Sequence, residues 1–449
     1  MNMSKKCFRD LNIPIRVLVF PGGTEIGLEI FRSLAYSRHI KLYGATSLDC
    51  DAGYIMFQNY TTNVPFVHHP DFINAFNSLL KKNDIEFIFP AHDTVGLYLS
   101  ENRDKLPSKV LISPYDTCVI CRDKLKTYQY FKDYIPTPHV YENPHDVSHF
   151  PVFLKPRVGE GSRGVYKVNT MKELEGLLET RNDLLILEYL SGIEYTVDCF
   201  TNSEGTLIFV GARERKRVAN GISVDTQIID KTEFIPFAEC IHSHLKFRGA
   251  WFFQMKRNND GQLVLLEIAP RVSGGMGLFR NRGVNLPLLT VYDALGLPLN
   301  ISEQSFPNRM LRCLSNHFVN SLHENNIQSD YKIKYEHVYI DFDDTLLIKG
   351  KLNSFIFMFL IQCKGNHIPV TLLTRHKENI LPLLKQYGIE NIFTRIIILS
   401  EKDKKSDYIT EDNSIFIDDS YSERQEVSKV KTIPVFGVDM IETLIDWSM

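Results

Sequence analysis

Three polar side chains stand in one short stretch of this chain, Trp251 to Gly275, in an order that suits phosphoryl chemistry. Two apolar runs, Trp251–Met255 and Leu263–Ile268, flank Asn258-Asn259-Asp260-Gly261. Asn or Asp followed by Gly favours the positive φ that a tight hairpin turn needs. Side chains alternate along a strand, so Gln254 and Glu267 are predicted to share one face of that hairpin. An amide oxygen and a carboxylate converging there suit Mg²⁺, a hard cation that keeps phosphate and water as its other ligands. Arg271 comes next, with a planar fork suited to phosphoryl oxygens. Taken alone, the stretch also reads as an exposed hairpin with ordinary surface charge.

A second constellation lies in HVYIDFDDTLLIKG, His337–Gly350. An apolar strand ends in Asp341, and Asp343 stands two positions on. One carboxylate can attack a phosphorus atom while the other serves the leaving group as acid and base. Further strand ends carry Thr374, in PVTLLTR, and Asp418 with Asp419, in NSIFIDDS.

The order Gln254, Glu267, Pro270, Arg271 resembles the metal-binding end of ATP-grasp ligases, in particular the carbamoyl-phosphate-synthase-like branch. Ala269 stands where that family has an Asn ligand for a second metal, which leaves one or two Mg²⁺ open. Other segments fit the same resemblance. Pro151–Val168 (PVFLKPRVGEGSRGVYKV) delivers Lys155 at a strand end, before a loop with Gly159, Gly161 and Gly164. Glycine lets backbone N–H groups approach phosphate, and Ser162 and Arg163 add donors. The resemblance gives Lys124 and Lys155 to the phosphates and makes the loop around Gly161 and Ser162 a mobile lid. It places the adenine edge against the backbone near Glu188, Tyr189 and Leu190, and the ribose hydroxyls on Glu194. ATP is the implied cosubstrate, with Mg²⁺ or, as an alternative, Mn²⁺. In Gly211–Gln227 a run of cations reads either as a solvated face or as a face toward the γ-phosphate and a carboxylate substrate; Arg213 is its candidate substrate contact. Asp93, just past a strand's carboxyl end, is either a second acceptor-substrate contact or a helix cap.

The Asp341/Asp343 pair and the strand ends after it resemble the haloacid-dehalogenase (HAD) phosphohydrolases. That resemblance implies Thr374 as the phosphoryl-binding hydroxyl and Lys405, with Lys404 as the alternative, as the neutralising cation. Asp341, the Asp343 carbonyl, Asp418 and Asp419 would form a Mg²⁺ site. The gaps from Asp341 to Thr374 and from Thr374 to Lys405 are each about 30 residues, too short for a large cap domain. The implied site is open, so its substrate is large or the other domain covers it.

The elements positioning these groups can be read from periodicity. Ile15–Phe20 is a continuous apolar run, as expected of a buried parallel strand, and a glycine turn and helix succeed it. The spacing of Gly22, Gly23 and Gly27 is not that of a dinucleotide fingerprint, so a Rossmann-like lobe without its own cofactor is expected. Strands are predicted near Lys41–Ala45, Glu86–Pro90 and Val110–Ser113. The fold class is thus multidomain α/β and α+β: a Rossmann-like pre-ATP-grasp domain over 1–115, a two-lobed ATP-grasp domain over 116–310, a linker over 311–334, and an uncapped HAD-like Rossmannoid domain over 335–449.

A chain of 449 residues accommodates two to three cores. A formal charge of −3 gives no electrostatic case for nucleic acid or a membrane surface. No apolar run approaches the roughly 20 residues of a membrane span, and the first apolar run reads as a strand, not a signal peptide. The eight cysteines lack framework spacing. The lone Cys118/Cys121 pair reads as buried thiols before zinc or redox chemistry, and a reduced, cytoplasmic setting is expected. The combined expectation is a bifunctional enzyme. One half joins a small carboxylate to an amine or thiol through an acyl phosphate, and a Mg²⁺-dependent phosphatase acts on a phosphorylated substrate or product of the same pathway. The alternative is a nucleotide-binding module that controls an active phosphatase. Members of the ligase family are often dimeric, which sets a homodimer as the expectation.

Overall fold

The computed structural model describes residues 13–318 and 334–448. The chain divides into two compact units, the first ending at Leu314 and the second spanning Ser315–Ser448. Most of the expected linker, 319–333, lies outside the described residues; its first residue, Leu311, instead ends a strand.

The first unit contains three sheets. Strands β1 (Ile15–Phe20), β2 (Ile40–Ala45), β3 (Tyr60–Thr61), β4 (Phe87–Pro90) and β5 (Lys109–Val110) form a parallel sheet in the order β3-β2-β1-β4-β5. Its direction of winding reverses between β1 and β4, and open α/β sheets hold ligands outside the strand ends at such a point. Burial of almost every position of β1 matches the continuous apolar run read from sequence. The Asp51 carboxylate lies over the Gly22-Gly23 turn, so close that a Cβ on Gly23 would sit 2.0 Å from it. Asp51 is fixed there by the Gly53 N–H and the Tyr60 hydroxyl.

Strands β6 (Val140–Tyr141), β7 (Val152–Pro156), β8 (Tyr166–Val168) and β9 (Leu184–Glu188) make an antiparallel sheet ordered β6-β9-β7-β8. The third sheet contains β10 (Glu194–Thr201), β11 (Leu207–Ala219), β12 (Ile222–Ile228), β13 (Gly249–Arg257), β14 (Leu263–Ala269) and β15 (Arg309–Leu311), ordered β14-β13-β10-β11-β12-β15. Its core is anchored by Trp251, which stacks on Phe247 at 3.9 Å and donates its indole N–H to Thr201 Oγ1 at 2.9 Å.

The second unit is a parallel sheet of β16 (His337–Ile340), β19 (Val370–Thr374), β20 (Arg395–Ile398), β21 (Ser414–Ile417) and β22 (Val435–Phe436), ordered β20-β19-β16-β21-β22. A small hairpin, β17 (Leu347–Ile348) with β18 (Lys351–Leu352), lies between β16 and the helix Ser354–Gly365. Among the described residues no large cap is inserted there, and no helix is long and apolar enough to cross a membrane.

Trp251 is nearly inaccessible, so Trp251→Ala leaves a large cavity and strands the Thr201 hydroxyl. A loss of about 3–5 kcal/mol is expected, measured as a lower denaturant midpoint for the first unit by circular dichroism.

Candidate active site

The hairpin read from sequence is present. In β13 and β14 Gln254 pairs directly with Glu267, and the turn between them contains Gly261 at φ +80°. Neither side chain has a protein hydrogen-bond or ion-pair partner among the described residues, although both are half-buried. Two polar groups left free beside each other are a fit for a hard cation.

They stand where two cavities meet. The smaller, about 160 Å³, is bounded by Phe153, Lys155, Glu188, Tyr189, Leu190, Glu194 and Leu266. The backbone groups of Tyr189 and Leu190 make no backbone hydrogen bond among the described residues, leaving them for a planar ring's edge. The larger cavity, about 670 Å³, reaches the ends of β1 and β4 and contains Asp93, Arg213 and Arg271. Lys124, Gly161, Ser162, Arg215, Gln254 and Glu267 border both. Every residue assigned from sequence to nucleotide or metal in this half therefore lines one continuous space.

Lys155 sits at the end of β7, buried, with only the Leu266 carbonyl at 3.3 Å and the Tyr128 ring 5.2 Å below it. Burial, with Lys124 nearby, lowers its pKa to about 7. Lys124 donates to the Gly159 carbonyl at 2.9 Å and so touches the glycine loop. That loop has Gly161, Ser162 and Gly164 at positive φ, turning successive N–H groups inward. Its other face rests on the turn between β11 and β12, where Gly221 is obligatory: a Cβ there would lie 2.3 Å from the Gly161 backbone. Glu194 pairs with Arg215, its Oε1 lying 2.8 Å from Nη1. Arg215 Nη2 donates to Gly221 O at 2.7 Å, while its Nε is buried without a partner.

Two assignments look different in three dimensions. Arg213 is spent on a buried pair. Its Nε donates to Asp198 at 2.7 Å and its Nη2 to Ser273 Oγ at 2.8 Å, and Ser273 donates back to Asp198. It borders the larger cavity as a wall, with its side chain only 3% exposed. Asp93 is not the cap of the helix Asp93–Glu101; His92 is, its Nδ1 accepting from the Thr94 N–H. Asp93 instead holds Arg271 through two 2.6 Å bonds. Burial would raise its pKa, but Arg271 outweighs this and holds it at about 2. Sequence reading missed Glu160 in the glycine loop, which lies at ion-pair distance from His92, 3.2 Å, and Arg122, 2.7 Å. Its signal was one carboxylate inside a glycine-rich, otherwise basic loop. Cys118 and Cys121 border the larger cavity with burial raising both thiols, so they are inert neighbours.

In the second unit, Asp341, Thr374 and Asp418 end or directly succeed the adjacent strands β16, β19 and β21. Lys405 Nζ bridges Asp341 at 2.7 Å and Asp418 at 2.6 Å, fully buried; Lys404 is exposed and takes no part. Burial, with Asp418 close by, raises Asp341 to about 7 in spite of Lys405. Oxygens of Asp341, Asp418 and Asp419 lie within 4.8 Å of one another, a donor set that fits a hard divalent cation. Asp419 is oriented by Thr345, whose hydroxyl donates to it at 3.2 Å. Asp343, half exposed, lies 3.0 Å from His376 Nδ1, a neighbour the sequence did not indicate.

Residues 180–313 match a family model described as ATP-grasp in the biosynthetic pathway with Ter operon. The chain is 26% identical over 156 residues to the arginine-specific carbamoyl phosphate synthase large chain of Halalkalibacterium halodurans, covering 31% of this chain and 14% of that one. It is 30% identical over 96 residues to the D-alanine–D-alanine ligase of Petrotoga mobilis, covering 20% and 32% respectively. It thus spans less than a third of the length of either relative. The biotin carboxylase of Campylobacter jejuni, in a β,γ-ATP complex, superposes with a TM-score of 0.53 at 15% identity over 64% of this chain and 72% of that one. The first unit has the ATP-grasp fold. The family match contains Glu188, Glu194, Gln254, Glu267 and Arg271, and ends one residue before the unit does.

Arg213→Ala leaves Asp198 buried and unpaired, and a loss of about 3–5 kcal/mol is expected. Arg213→Met with Asp198→Asn recovers most of it in urea unfolding, because both charges leave together.

Proposed function

We propose that the first unit is an ATP-dependent ligase that activates a small carboxylate as an acyl phosphate and passes it to an amine or thiol. The observation that carries this reading is the unpartnered Gln254/Glu267 pair at the mouth shared by an adenosine-sized pocket and a larger substrate cavity. Mg²⁺ there would neutralise phosphate charge, held by Gln254 and Glu267. Lys155 and Lys124 meet the phosphates, Glu188–Leu190 the base and Glu194 the ribose. The glycine loop excludes water, and Arg271 offsets charge developing on the transferred phosphoryl group. Ala269 offers no oxygen where a second metal would sit, so one Mg²⁺ is the reading favoured.

We also propose a phosphatase in the second unit. Asp341 would attack phosphorus, displacing the alcohol, and Asp343 would protonate the departing oxygen; water then cleaves the aspartyl-phosphate. Lys405 keeps Asp341 and Asp418 together, and Thr374, whose hydroxyl accepts from the His376 N–H at 3.2 Å, faces the phosphoryl oxygens. Asp341, Asp418 and Asp419 would hold Mg²⁺.

ADP and phosphate release from wild type, Glu267→Ala and Asp341→Asn, against paired acids and amines, tests both. One pair should drive ADP release that Glu267→Ala lowers at least about 10²-fold and Asp341→Asn spares. Phosphate release from phosphate esters should show the opposite dependence. If no pair drives ADP release while ester hydrolysis persists, the first unit is a nucleotide-binding regulator of the second.

Lys155 gives a separate readout. Near pH 8 it is largely neutral when free, and the polyphosphate returns it to the charged form. Mg²⁺–ATP binding should therefore take up close to one proton at pH 8 and little at pH 6, read as buffer-dependent binding enthalpy. Lys155→Arg, always charged, should abolish the uptake.

A further inference from the structure

Five ionisable residues drawn from different parts of the first unit form one chain of contacts at the end of β4. Glu160, in the glycine loop, lies at ion-pair distance from His92 Nε2, 3.2 Å, and from Arg122 Nη2, 2.7 Å. The Thr94 N–H occupies His92 Nδ1, so Nε2 bears the proton that reaches Glu160. Arg122 is itself steadied by the Thr94 hydroxyl at 3.0 Å and by the Gly159 carbonyl at 3.3 Å. Asp93, the next residue after His92, holds Arg271 through both carboxylate oxygens at 2.6 Å. Arg271 is further seated on the Phe252 ring, 5.3 Å away, and on the Val272 carbonyl.

Two adjacent residues thus grip the two parts of the site that must act together. His92 grips the loop over the phosphates, and Asp93 grips the arginine at the reacting group. Neither is placed on the phosphoryl group itself. Along the chain Glu160 faces Arg122 and His92 Nε2, and Asp93 faces Arg271; Arg122, Asp93 and Arg271 are largely shielded from water, while His92 and Glu160 are each about a third exposed. Each group is held by its neighbour, and His92 and Asp93 are joined through the backbone, so removing a middle member disturbs both ends. The backbone adds a rigid link. His92 caps the helix Asp93–Glu101, and its ring cannot turn without breaking that cap.

We propose that His92 and Asp93 are positioning residues that couple closure of the glycine loop to the setting of Arg271. The loop is held shut only while Arg271 is held in place, so the acyl phosphate would form where water is already excluded. This rests on the ligase reading for its purpose, but the mechanical coupling belongs to the protein without nucleotide.

The test is amide hydrogen exchange of residues 157–165 in the full chain, without nucleotide and with Mg²⁺–ATP. Glu160 is about a third exposed, so Glu160→Gln should fold; it should raise exchange of the free loop about tenfold. Asp93→Asn, which does not touch the loop, should raise it several-fold, and Asp93→Glu should restore much of the protection. The double variant Asp93→Asn/Glu160→Gln should exchange no faster than Glu160→Gln alone, because the two act through one connection. Wild-type exchange in Asp93→Asn, or effects that multiply in the double variant, would overturn the coupling. If Mg²⁺–ATP protects the loop in no variant, the nucleotide reading fails, and the free-protein comparison still decides the coupling.

Discussion

A charge taken out of water must find a partner, and this requirement organises the first unit more than any single fold motif does. Seven cations and four carboxylates border the larger cavity. Most are matched: Asp93 with Arg271, Glu160 with Arg122, Glu25 with Arg312, while Arg213 turns to Asp198 behind the wall and Arg215 to Glu194. Lys124 and Arg163, and Lys155 in the smaller cavity, have no carboxylate within ion-pair distance among the described residues. Cations left over after internal pairing are the ones free to meet an anion: Lys124 and Arg163 border both cavities, and Lys155 lines the smaller one beside them. The surplus falls where the proposed phosphates would be.

Pairing also explains why the glycine loop can lie closed in the structure. Glycine supplies the turns but no cohesion, and an exposed loop of this kind would cost conformational entropy to order. Here Glu160 rests against Arg122 and His92, the Gly159 carbonyl accepts from Lys124 and Arg122, and Gly161 meets Gly221 backbone to backbone. Arg215 reaches the same point from below through the Gly221 carbonyl. The loop is thus glycine-rich and tied at three points by contacts within the protein itself.

What could be read in the sequence depends on the range of the contacts. Gln254 and Glu267 were legible because strand period and an Asn-Asp-Gly turn are local, and the register bears out their pairing. The parallel run of β1 and the C-terminal strand ends at Asp341, Thr374 and Asp418 were legible for the same reason. Arg213 was not. Its partner is fifteen residues earlier on an adjacent strand, and only the β10–β11 register brings Asp198 near it. Asp93 read as a substrate contact or a helix cap, and its pairing was out of reach because its partner, Arg271, is 178 positions away. Lys404 and Lys405 could not be separated by pattern, since one position in a short irregular turn decides which side chain faces inward.

The second unit meets the same requirement with a single cation. Asp341 and Asp418 are buried side by side; burial raises both, and Asp418 further penalises charge on Asp341 as Asp419 does on Asp418. Lys405 relieves this by bonding to both, and its own ammonium is favoured by the two carboxylates although burial alone would oppose it. One positive charge against two buried carboxylates and a third nearby leaves the cluster short of neutrality. A divalent cation would close that gap and draw Asp341 down from about 7, toward the ionised form a nucleophile needs. The donors are therefore not merely near one another: their electrostatics are unfinished in the direction that a bound metal completes. In the first unit, by contrast, the groups without an ion-pair partner around the two cavities include three cations, Lys124, Lys155 and Arg163, and an amide–carboxylate pair, a balance that asks for a polyanion together with its metal.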